Sequence, residues 1–115
     1  MKEINLNFEL NNKENPYTYN GIATIQNNVI RYKDEDSHIL FDIKRNVLIK
    51  KDNEKTLKLD FYNKIMHIKI GNNELKGNIE VLNITNKQNK EITITYVIDK
   101  NKIKLSLNIN GGTYE

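Results

Sequence analysis

Apolar and polar residues alternate with a period of two along nearly the whole chain, and that pattern admits few folds. Ile4, Leu6, Phe8 and Leu10 alternate with polar neighbours, as do Ile92, Ile94, Tyr96 and Ile98, then Ile103, Leu105, Leu107 and Ile109. Side chains of an extended strand point to opposite faces in turn, so such a stretch reads as a half-buried β-strand. Between these runs lie Tyr17, Tyr19, Ala23 and Ile25, with Gly21 as a bulge or bend, then Ile30 and Tyr32, then Ile39, Phe41 and Ile43. Val47 and Ile49, Leu57, Leu59 and Phe61, Met66, Ile68 and Ile70, and Leu75, Ile79 and Val81 continue the series. No 3.6-residue apolar stripe runs beyond two helical turns. The pattern predicts about nine or ten short antiparallel strands.

Turn lengths fix which residues face each other. With Asn27-Asn28 as a two-residue loop, Ile25 faces Ile30 and Ala23 faces Tyr32. With Lys100-Asn101 in the same role, Tyr96 faces Leu105 and Ile94 faces Leu107, whereas a one-residue slip would set isoleucines against lysines. Around Asp52-Asn53-Glu54 a three-residue loop pairs Ile49 with Leu57 and Val47 with Leu59. A flat sheet of such strands leaves two edges and one apolar face uncovered, and closure removes both problems. The expected fold is therefore all-β, an antiparallel up-and-down meander closing into a small barrel, with residues 1–115 as a single domain and no internal repeat. A two-sheet sandwich is the alternative.

Charge is unevenly spread. Residues 1–42 hold four Lys/Arg against seven Asp/Glu, and residues 43–115 hold fourteen against eight. Such asymmetry is the footprint of a polyanion-binding face where the cations cluster, and of an ordinary lysine-rich surface where they do not. There is no cysteine, hence no disulfide and no thiolate metal site. No apolar run approaches the length of a membrane helix, and the first residues show no signal-peptide pattern, so a cytoplasmic protein without a membrane partner is expected.

No catalytic constellation stands out, so no enzyme, no cofactor and no metal site is expected. His38 and His67 take the polar parity of their strands. Asp34-Glu35-Asp36 could hold a cation loosely and reads more simply as a solvated turn. Tyr32 and Tyr96 fall on the apolar parity, with Tyr19 a further candidate; a phenol so placed either packs in the core or lines a pocket. Lys51 shares parity with Val47 and Ile49, which predicts that it aims inward or along the barrel rim.

Four segments carry a resemblance: Val47-Leu48-Ile49-Lys50-Lys51 leading to Phe61, Asn73-Glu74-Leu75, Ile92-Thr93-Ile94-Thr95-Tyr96, and the alternating strand before Gly111-Gly112. In these the chain resembles the YwiB-like family, small bacterial proteins of unassigned activity with a lipocalin-like (calycin) barrel. The resemblance implies that fold and a hint of ligand binding. The family tends to carry arginine where Lys51 stands. Either cation could meet an anionic head group, so Lys51, Tyr19, Tyr32 and Tyr96 form the candidate ligand site. The readings left open are a barrel that accepts a small, partly apolar or anionic ligand, a filled domain with a structural or protein-interaction role, and a nucleic-acid-binding barrel. No sequence-specific nucleic-acid recognition is expected.

Overall fold

The computed structural model describes residues 1–13 and 15–112. Among them are eleven strands: β1 (Lys2–Asn11), β2 (Tyr17–Gln26), β3 (Val29–Asp34), β4 (Ser37–Asp42), β5 (Val47–Lys51), β6 (Lys55–Asp60), β7 (Ile65–Ile70), β8 (Asn73–Asn78), β9 (Glu80–Lys87), β10 (Glu91–Ile98) and β11 (Asn101–Gly112). Their hydrogen-bonded order is β8-β7-β6-β5-β4-β3-β2-β1-β11-β10-β9. This is the expected all-β, antiparallel up-and-down meander. The chain divides into two compact units, residues 24–79 together with Met1, and residues 2–23 with 80 onward.

The first unit is three β-hairpins, β3–β4, β5–β6 and β7–β8, and they repeat. Asn28, Asn46 and Lys64 stand eighteen residues apart, and all three have positive φ, at 66°, 56° and 62°. Their carbonyls accept hydrogen bonds from Ile43, Phe61 and Ile79 respectively, at 2.9, 3.0 and 2.9 Å, so each bond closes the open end of its own hairpin. Ile43, Phe61 and Ile79 are all buried. The residue before each is Asp42, Asp60 or Asn78. The Asp42 carboxylate accepts the Lys44 and Arg45 amides, and Asp60 accepts that of Asn63. These acids close their turns as side-chain caps do elsewhere. The absence of a repeat expected from the sequence is thus corrected. The copies are visible in turn geometry, while their apolar residues interchange among Ile, Leu, Met and Phe.

Two registers differ from expectation. In β5 the inward residue is Leu48, which faces Leu59 across the pair; Val47 faces Asp60 and Ile49 faces Lys58. The tip is the two residues Asn53-Glu54, closed by the Asp52 amide donating to the Lys55 carbonyl at 2.8 Å. Val47-Leu48-Ile49 is apolar at every position, so alternation alone cannot choose its parity. Burying a Leu or Ile fully is worth roughly 1.5–3 kcal/mol, and Phe41, opposite Leu48 on β4, decides which residue gains it. By contrast, the Asn27-Asn28 hairpin pairs Ile25 with Ile30 as expected. Both asparagines have positive φ, as this two-residue turn requires.

The second unit runs β2-β1-β11-β10-β9. Its buried face holds Ile4, Leu6, Phe8, Ile92, Ile94, Tyr96, Leu105 and Leu107, and Phe8 meets Tyr17 edge-on with ring centroids 6.0 Å apart. Tyr96 and Leu105 both point inward, but they are not opposite: Tyr96 faces Ile103 and Ile94 faces Leu105. The loop is Asp99-Lys100, both with positive φ, instead of Lys100-Asn101. A shift of two residues keeps every side chain on its face, so the hydrophobic pattern could not tell the two registers apart.

Candidate functional site

The four residues singled out in the sequence divide between the units, Tyr32 and Lys51 in the three-hairpin unit and Tyr19 and Tyr96 in the other. Tyr32 is 7% exposed and Tyr96 2% exposed, both among the buried core residues. Burial pushes the Tyr96 phenol well above its ordinary range. Tyr19, half-buried in the second unit, donates its hydroxyl to the Ile22 carbonyl at 2.8 Å. Lys51 is exposed. It keeps parity with Val47 and Ile49, but that parity is the outward one, because Leu48 takes the core. Its expected inward aim is therefore corrected: Lys51 and Tyr32 lie on opposite faces of the three-hairpin unit.

Lys51 instead belongs to a row of cations crossing that unit. Residues directly paired between strands share a face, with Cβ atoms about 4.5–5.5 Å apart. Lys33 pairs with His38, His38 with Lys51, Lys51 with Thr56, Thr56 with Lys69, and Lys69 with Glu74. Lysines therefore recur on alternate strands, about 10 Å apart at the usual strand spacing. Two residues along lies a second row: Arg31, Leu40, Ile49, Lys58, His67 and Lys76. The lysines and Arg31 are all exposed.

The repeat places this row. Aligning residues 27–44, 45–62 and 63–80 brings Lys33, Lys51 and Lys69 to one position, and it is the only position with the same residue in all three copies. Even the turn and core positions vary. Like charges gathered on one sheet face oppose folding slightly, so nothing in the stability of the hairpins calls for this identity.

Acidic residues border the row at the hairpin tips, where Asp36, Asp52 and Glu54 stand, and at its far end. Glu74, at one end, lies 3.3 Å from the His67 Nε2. The ion pairs His67–Glu74 and Lys87–Glu91 do not include Lys33, Lys51 or Lys69. Lys33, His38 and Lys51 border an open hollow at the hairpin tips together with Asp36, Asp52 and Asn53. The Asp52 carboxylate there accepts the Ser37 hydroxyl, which ties the first hairpin to the second. A neighbouring hollow lies between Lys51, Thr56 and Lys69, with Asp52 and Glu54 also lining it. Among the described residues, no three His, Asp or Glu side chains gather in a way that could hold a metal ion.

The lysine row was hidden in the sequence because it is not contiguous; only an eighteen-residue offset aligns its members. Compared with known proteins, the chain matches no family, no curated protein and no solved structure, so the resemblance to the YwiB-like proteins rests on the residue pattern alone.

Proposed function

We propose that this chain is a non-catalytic binding domain that takes anionic partners on the outward face of its three-hairpin unit. The observation that carries the reading is the ladder of Lys33, Lys51 and Lys69, identical in all three copies and joined by His38 and Thr56. An ammonium is a compact charge on a flexible stem, suited to following an anion without demanding one geometry. A small apolar ligand held by Lys51 together with the tyrosines has less support, since Lys51 and Tyr32 occupy opposite faces and Tyr96 is packed into a core. A cytoplasmic setting and kinship with the YwiB-like barrels belong to the same proposal and rest on the sequence.

The test is an amide NMR titration with sodium tripolyphosphate at low salt. The largest shifts should fall on Lys33, His38, Lys51, Thr56 and Lys69. Shifts no larger there than at Lys87, Lys90, Lys100, Lys102 and Lys104 would reduce the ladder to ordinary surface charge.

A further inference from the structure

We infer that the anion held on this face is the phosphodiester backbone of a single-stranded nucleic acid, gripped across the hairpins without its bases being read. The inference rests on the anion-binding reading above and adds the class of partner.

The shape of the charge selects a linear polymer. Lys51 on β5, Lys58 on β6, Lys69 on β7 and Lys76 on β8 alternate between the two rows on successive strands. Neighbours in this zigzag are diagonal pairs, about 7–8 Å apart. Lys33 and Arg31 extend the track on β3. From β3 to β8 it spans five strand spacings, about 24 Å, and is only two residues wide. A small anion would need one corner of such a track. A membrane surface offers charge in two dimensions, for which a broad patch serves better than a line. A flexible chain with one charge per monomer can meet each cation in turn.

The chemistry of the two rows narrows what is read. Their non-ionisable members are Leu40, Ile49 and Thr56, and Glu74 is the one carboxylate, already beside His67. No Phe, Tyr or Trp occurs in either row. Single-strand binders stack bases on aromatic rings, in some modules to read them and in others without sequence preference, and this face offers no ring for either. Contact is therefore to phosphates, insensitive to sequence and strongly dependent on salt. That agrees with the expectation of no sequence-specific nucleic-acid binding and gives the basic second half of the chain a place to act.

Fluorescence anisotropy with a labelled oligo-dT of about 20 nucleotides, and with a mixed-sequence oligomer of the same length, tests this across a salt series at sizes suited to such surfaces. Both oligomers should bind within about twofold of each other, because the face carries no base-reading groups. The slope of log K against log salt should fall by about 0.7 per lysine removed, so by about 2 in the triple variant Lys51→Ala, Lys58→Ala, Lys69→Ala. These side chains are exposed, and an unchanged melting curve verifies that the variant folds. A control variant with Lys100→Ala, Lys102→Ala and Lys104→Ala should keep the slope. Equal slopes for the wild type and the ladder variant overturn the inference. So does a preference of tenfold or more for one oligomer. If phosphatidylglycerol vesicles bind the protein and the oligomers do not, the partner is an anionic surface. If tripolyphosphate shifts the ladder amides while neither oligomer nor vesicle binds, this inference fails and the anion-binding reading stands. If tripolyphosphate has no effect either, both fail.

Discussion

The Tyr19 ring lies over Gly21, its hydroxyl 2.6 Å from the point a Cβ on Gly21 would occupy. Glycine, expected here as a bulge or bend, is a platform that leaves room for a neighbouring ring on the same face of β2. The side chain folds back along the strand and ends in the hydrogen bond to the Ile22 carbonyl.

Gly21→Ala should therefore destabilise the protein by about 1 kcal/mol or more, because the ring must swing away and give up that bond. In a Tyr19→Ala background the same change should be neutral or stabilising, since alanine costs about 0.5–1 kcal/mol less than glycine in a strand. Urea denaturation of the four variants gives the coupling directly. Additive effects would mean that the two residues do not interact in solution.

Ile39 and Leu75 hold the same position in the first and third hairpins, and their surroundings differ sharply: Ile39 is 4% exposed and Leu75 64%. Ile39→Ala should cost about 2–4 kcal/mol by removing core contacts and leaving a cavity. Leu75→Ala should change stability by less than about 0.5 kcal/mol. Comparable losses in chemical denaturation would show that the Leu75 face is covered in solution.

Burial alone would raise the Asp60 carboxyl, but hydrogen bonds from the Asn63 amide and side chain, the Tyr62 amide and the charge of Lys58 hold it below its ordinary 3.8. The folded state thus favours the carboxylate. Its stabilisation is complete above the ordinary value and is lost as pH falls through the lower native one. A carboxyl NMR titration should place the Asp60 midpoint below 3.8. Asp60→Asn should make stability less sensitive to acid over that interval. A midpoint at or above the ordinary value contradicts the turn geometry as the cause.

The candidate site was the least legible part of the sequence. The asymmetry of charge was plain, but clustering depends on which strands pair and in what register. Lys51 drew attention through its parity, and its partners could not be named, because Thr56 lies across one hairpin and His38 belongs to another. Val47-Leu48-Ile49 leaves that parity open, because three adjacent apolar residues satisfy either face.

What the sequence by itself determined is the class of local structure. Period-two alternation in Ile92–Ile98 and Ile103–Ile109 specifies strands and their buried face, since each inward Ile or Leu gains burial that a one-residue slip would forfeit. Asn27-Asn28 specifies its hairpin because asparagine tolerates the positive φ that both turn positions need. Only the tertiary structure decided among arrangements that satisfy the same pattern. A two-residue shift in the closing hairpin leaves every face unchanged, so the choice between Leu105 and Ile103 opposite Tyr96 falls to the Asp99-Lys100 turn. Neighbouring strands decide that Leu48 enters the core and that Leu75, with the same apolar character as Ile39, stays exposed. The lysine track exists for the same reason: residues eighteen apart become a row only when three hairpins pair in sequence and share one outward face.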